Sequence, residues 1–168
     1  MKYFMLLLFI LNNNFNSKLQ AQETENQQKT IAKFQITDGT VNGEDVTPTL
    51  INENAYLVIY SIVENNDLCM ANFWQTSKSQ SFGSIYAIEE KKIDESDENY
   101  KADFINFQWS YTNTYDSKKG TAKVELMKIY KPQGVYFEMT IVPENLDVLV
   151  YKGFMSGTLD LKVYERKK

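Results

Sequence analysis

Ile105-Asn106-Phe107-Gln108-Trp109-Ser110-Tyr111-Thr112 decides the fold. Every second residue is a large aliphatic or aromatic side chain and every residue between is polar, the period of two that a half-buried β-strand imposes and a helix cannot use. The pattern recurs downstream in Ala122, Val124 and Leu126 against Lys123 and Glu125, and again in Val135, Phe137, Met139 and Ile141 against Glu138 and Thr140. Lys131-Pro132-Gln133-Gly134 joins these two runs. Proline presets one turn position and glycine permits a positive φ, so the pair reads as a hairpin.

Working outward from this segment extends the series in both directions. Upstream, Ala32, Phe34 and Ile36 share a face against Lys33 and Gln35, followed by the turn dipeptides Asp38-Gly39 and Asn42-Gly43. Ala55 to Val63 is an apolar and aromatic run broken only by Ser61, and predicts a central strand buried on both faces. Asn65-Asn66-Asp67 turns the chain into Leu68 to Thr76, completing a second hairpin, and a polar loop at Ser77 to Ser81 leads to a short strand over Ser84 to Glu89. Downstream, Pro143-Glu144-Asn145 reverses the chain into Leu146 to Lys152. After Gly153, a site for a bend or bulge, the alternation Gly157, Leu159, Leu161 and Val163 closes the series.

The result is an all-β chain of about eight or nine strands with no helix of three turns. All connections but one are short, which favours an antiparallel meander. A meander of this length removes its exposed edges most economically by closing into an up-and-down barrel, here placed just ahead of a two-sheet sandwich. Residues 30–168 form one β domain.

Residues 1–21 read as a secretory signal peptide: Lys2, the apolar run Tyr3 to Leu11, and a small residue, Ala21, before Gln22. This predicts an extracytoplasmic product, periplasmic or secreted, without stable membrane insertion after cleavage. Residues 22–29 carry no apolar side chain and read as a flexible leader. The whole chain has a net charge of −4, and cleavage removes Lys2 and Lys18 but no acid. With lysine and arginine clustered only at Arg166-Lys167-Lys168, a solvated tail, the sequence speaks against nucleic-acid binding.

The single cysteine, Cys69, lies in the apolar stretch Leu68 to Trp74 and reads as a small buried hydrophobe, with no internal disulfide and no lipid attachment. Histidine is absent, which removes Ser-His-Asp and Cys-His nucleophilic systems, imidazole zinc sites and histidine acid-base catalysis. No Gly-rich phosphate loop, G-x-S-x-G elbow or S-x-x-K pair occurs. The acidic stretch Glu89 to Asn99 is rich in oxygen ligands, yet it lacks the glycine and the spacing of a calcium loop. Its neighbouring carboxylates also do not make the separated, partly protonated pair of a glycosidase. It reads as a solvated connection. The chain is therefore expected to be non-enzymatic, with no metal and no cofactor.

Aromatic residues carry the positive signal. Tyr56, Trp74, Phe107, Trp109, Tyr111 and Phe137 fall at strand positions, and the inward members would line a barrel interior that takes a small apolar ligand. The alternative is that they fill the core, as they do in many eight-stranded barrels. On the inward face, Trp109 is the expected reporter of a ligand.

The Ala21-Gln22 ending, the turn Val41-Asn42-Gly43-Glu44-Asp45-Val46-Thr47 after a first strand, and the later succession of strands and turns resemble small secreted β-rich proteins of Bacteroidota. Some of these are lipocalin-like, which implies a barrel with a calyx for a small hydrophobic molecule. Lipocalins carry Gly-x-Trp on the first strand where this chain has Ala32-Lys33-Phe34, so no functional residue carries over. The functional expectation is an exported lipocalin-like barrel that binds a small apolar ligand or serves as an envelope accessory protein. The alternative is a β-sandwich module contacting glycans or proteins through exposed aromatics.

Overall fold

A computed structural model describes residues 27–93, 101–144, 147–159 and 161. Its elements are β1 (Gln28–Val41), β2 (Glu44–Asp45), α1 (Thr47–Asn52), β3 (Tyr56–Ile62), β4 (Leu68–Trp74), β5 (Ser79–Ile93), β6 (Lys101–Asn113), β7 (Lys119–Lys131), β8 (Gly134–Pro143) and β9 (Leu149–Gly157). Each strand from β3 to β9 pairs antiparallel with the next, β1 pairs with β3, and β1 also pairs with β9 from Ala32↔Gly157 to Val41↔Leu149. That last ladder closes the sheet. The molecule is an eight-stranded antiparallel barrel with β2 as an extra two-residue strand on β1, and not a sandwich.

The signal peptide, residues 22–26 of the leader, Asp94 to Asn99, the Asn145-Leu146 junction, Val163 and Arg166-Lys167-Lys168 lie outside the described residues.

The decisive segment behaves as its alternation requires. Ile105, Phe107, Trp109 and Tyr111 point inward and are buried, paired across the barrel wall with Leu126, Val124, Ala122 and Gly120 of β7. At the waist the interior is solid. Phe34, Leu57, Ile59, Met70, Ile105, Phe107, Val124, Leu126, Phe137 and Met139 retain 0–2% of their surface. Phe34 meets Phe137 edge-to-face at 5.0 Å.

Five local expectations are corrected. Asp38-Gly39 does not turn the chain but runs inside β1, beyond a bulge at Thr37. Gly39 is needed there because α1 lays Leu50 on it, and a Cβ would meet Leu50 Cδ1 at 2.5 Å. The turn is made by Asn42-Gly43, both at positive φ. The run Ala55 to Val63 is not buried on both faces: in β3, Leu57, Ile59 and Ser61 are inside, while Tyr56, Val58 and Tyr60 are half-buried outside. β5 begins at Ser79 and continues to Ile93, passing a bulge at Ala87 and Ile88, so the acidic stretch starts as strand. Finally, Leu146 to Lys152 and the run from Gly157 are not two strands. One strand, β9, spans Gly153, and Leu159 and Leu161 are buried beyond its end. Strand pairing also starts at Gln28, two residues ahead of Thr30.

α1 escapes a periodicity reading because it has six residues, with Pro48 in its first turn and Leu50 as its one buried side chain. A helix this short has no stability of its own and is held by what it packs against.

Several phenols are held neutral. Burial, with the neighbouring Cys69 thiol, pushes Tyr60 up to about 12, and burial also raises Tyr111, Tyr130 and Tyr151. A phenol whose folded pKa exceeds its unfolded value of 10.0 contributes its full share below pH 10, and loses it as pH climbs through the folded value. Urea unfolding should therefore show little phenol-dependent change from pH 7 to 9 and a falling midpoint from pH 10 toward 12. Tyr60→Phe should flatten part of that fall.

Candidate functional site

Extending the inward period of β4 and β6 toward the end of the barrel that carries α1 places Asn72 and Asn113 on the inner face, two residues beyond Met70 and Tyr111. Ser81 of β5 stands between them, paired with both. The barrel core thus ends at a polar rung. Ser81 Oγ donates to Asn113 Oδ1 at 2.7 Å, and Asn113 Nδ2 donates to the Tyr115 hydroxyl at 3.0 Å.

Asn72 is less well served. It is buried, at 8% exposure, and its side chain bonds to the Tyr151 hydroxyl. Its Oδ1 has no hydrogen-bond partner, so the bond to Tyr151 is made by Nδ2. A buried carbonyl left unpaired costs about 1–3 kcal/mol.

Above this rung the barrel opens into a cavity of about 640 Å³. Trp74, Tyr151, Leu149, Val41, Val46 and Leu50 form its apolar walls, and Asn72 and Ser81 lie at its polar side. Two carboxylates stand at the rim, and both serve its structure: Glu53 Oε2 accepts from the Ser77 backbone N–H at 2.9 Å, and Asp147 Oδ1 accepts from Asn42 Nδ2 at 2.6 Å. α1 roofs one side. Leu50 reaches both this cavity and a groove of about 560 Å³ on the outer surface, so the helix separates the two.

Of the six residues singled out from the sequence, the barrel brings Trp74 alone to this cavity. Phe107 and Phe137 are part of the packed waist. Trp109 lies one layer below the polar rung, 3% exposed, with Nε1 donating to the Met70 carbonyl at 3.2 Å and its ring 4.8 Å from that of Tyr111. Tyr111 in turn covers Gly120, where a Cβ would meet its hydroxyl at 2.6 Å. Tyr56 faces outward, stacked on Phe73 at 4.9 Å with Lys33 Nζ over its ring at 4.6 Å. The residues missed were Asn72, Leu149 and Tyr151.

At the opposite end, the same period puts charges inside. Asp103 of β6 and Lys128 of β7 are register partners on the inward face, joined at 3.0 Å, and the Tyr130 hydroxyl donates to Asp103 Oδ2 at 2.6 Å. Burial pulls the Lys128 pKa down, but hydrogen bonds with Tyr130 and Asp103 and the Asp103 charge outweigh it and leave Lys128 raised and protonated. The cluster is a satisfied ion pair, and it plugs this end.

Cys69 is buried on the outer face, where burial raises its thiol pKa and Tyr60 and Ser84 hydrogen-bond it, so it has little thiolate character. No family model, curated protein or solved structure matches the chain, so the chemistry of these sites is read from the residues themselves.

Proposed function

We propose that the protein is an exported, non-enzymatic barrel that binds a small, mainly apolar molecule in the mouth beside α1. The observation that carries this reading is the mouth itself, a cavity walled by aromatic and aliphatic side chains with the Asn72 amide at one side, whose volume suits a small-molecule site. The apolar body of a ligand takes the place of water on Trp74, Tyr151 and Leu149. Glu53 and Asp147 at the rim disfavour an anionic head. The ligand is therefore an uncharged molecule with an apolar chain, and not a fatty-acid anion. Export is supported by the signal-like first 21 residues.

The head group supplies the test. Decanol and decanamide should bind the folded protein saturably, and decanoate at neutral pH about tenfold or more weaker, because its charge meets Glu53 and Asp147 at the rim. Glu53→Gln with Asp147→Asn should narrow the difference between heads while retaining the fold, because each amide keeps an oxygen for the Ser77 or Asn42 donor. Equal affinity for all three, or none for any, would contradict the reading.

A further inference from the structure

We infer that the outer groove beside α1 is a second binding site, for a short neutral oligosaccharide of flat, β-linked gluco-configured sugars. The inference is independent of the mouth.

One rung of the barrel's outer face carries it. Phe73, Tyr56, Gln35, Phe154 and Tyr136 are consecutive register partners across β4, β3, β1, β9 and β8. The rung therefore presents two aromatic pairs with an amide between them. Tyr56 is backed by Phe73 at 4.9 Å and Phe154 by Tyr136 at 4.6 Å, so each ring is held by a second. Two strand spacings separate Tyr56 from Phe154, about 10 Å. Phe154 is 43% exposed, and both rings line the groove of about 560 Å³.

The rest of the lining mixes apolar side chains, Ile51 and Met155 among them, with polar ones of a particular kind. Gln35, Asn54 and Gln75 contribute planar amides, and among the described residues Lys33 is the one charged side chain in the groove and no carboxylate lines it. The Asn54 side-chain amide donates to the Gln75 carbonyl, which leaves an acceptor on Asn54 and a donor on Gln75, the complementary pair that neighbouring hydroxyls require. This wall is fixed: Thr76 N–H donates to the Glu53 carbonyl at 3.2 Å, and Thr76 Oγ1 to the Asn52 carbonyl at 2.8 Å.

The exposed Phe154 ring beside paired amides suits a sugar, whose C–H face covers that ring while its edge hydroxyls bond both ways; Tyr56, stacked on Phe73 and covered by Lys33, walls the far side of the groove. A purely apolar ligand would strip water from three amides and return nothing. An anionic partner would find one lysine, already seated over Tyr56. All-equatorial rings offer the flattest face to the sheet, hence the β-linked gluco preference. With no pair of carboxylates in the groove, the site binds and does not hydrolyse.

Titration of the full mature chain with cellotetraose, followed by the side-chain amide NMR signals, should shift Gln35, Asn54 and Gln75. Phe154→Ala and Gln35→Ala, both on exposed positions, should each raise the Kd at least tenfold with unchanged amide dispersion. Maltotetraose should bind at least tenfold more weakly. The absence of shifts at millimolar cellotetraose, binding insensitive to both variants, equal binding of maltotetraose, or shifts confined to Asn72 and Asn113 would each overturn the proposal. The decanol series reads the mouth alone, so the two sites succeed or fail separately.

Discussion

Phe107→Ala should destabilise the barrel by about 3–5 kcal/mol, a large share of the stability of a domain this size. Phe107 is 1% exposed and sits in a waist whose neighbours Ile105, Val124 and Leu126 are equally closed. The strands around it are held by ladders on both sides, so the wall cannot collapse into the space and the cavity term adds to the lost transfer energy. Gln108→Ala, one residue along on the outer face, should cost less than about 0.5 kcal/mol. Urea unfolding of the two variants beside the parent measures both. Equally mild effects would mean that the waist is not packed as described.

Lys128→Met should be comparably severe, about 3–5 kcal/mol, for a different reason. Removing the ammonium leaves Asp103 buried with Tyr130 and deprived of the Lys128 charge at 3.0 Å. The double variant Asp103→Leu/Lys128→Met should recover most of that loss, because the desolvation of both charges goes with them and the inward face simply becomes apolar one step further. Native Lys128 has its pKa above its ordinary 10.5, so its contribution is whole below pH 10.5 and is lost as pH rises through the folded value. A double variant no better than Lys128→Met would show that the ion pair supports something more than itself.

The waist was legible where β6 and β8 alternate over four positions and β1 and β7 over three, though not in β3, whose unbroken apolar run hid its outer face, and the hairpins were legible because Asn65-Asn66-Asp67 and Lys131 to Gly134 have turn chemistry of their own. Both ends of the barrel were harder to read, for one shared reason. The inward period does not stop where the apolar residues stop: two residues beyond Tyr111 it reaches Asn113, two beyond Met70 it reaches Asn72, two before Ile105 it reaches Asp103, and two after Leu126 it reaches Lys128. A polar residue at an inward position reads as the end of a strand in one dimension and becomes a floor or a plug once neighbouring strands supply partners. Tyr56 misled in the opposite sense, since a tyrosine in a β-rich run suits either face and only the register with Phe73 shows it outside. Gly39 and α1 are legible only together, because the glycine is explained by a leucine eleven residues away that packs on it.

The two tryptophans divide the barrel between them, Trp74 in the mouth and Trp109 below the polar rung, and this gives the central claim its most direct measurement. Emission should be followed while decanol is titrated into the parent, Trp109→Phe and Trp74→Phe proteins, each shown folded by near-ultraviolet circular dichroism. Binding in the mouth predicts a saturable change that persists in Trp109→Phe and disappears in Trp74→Phe. A change carried by Trp109 would place the ligand within the barrel's packed interior, and no saturable change in folded parent protein would leave the mouth without a ligand of this class; either result contradicts the account.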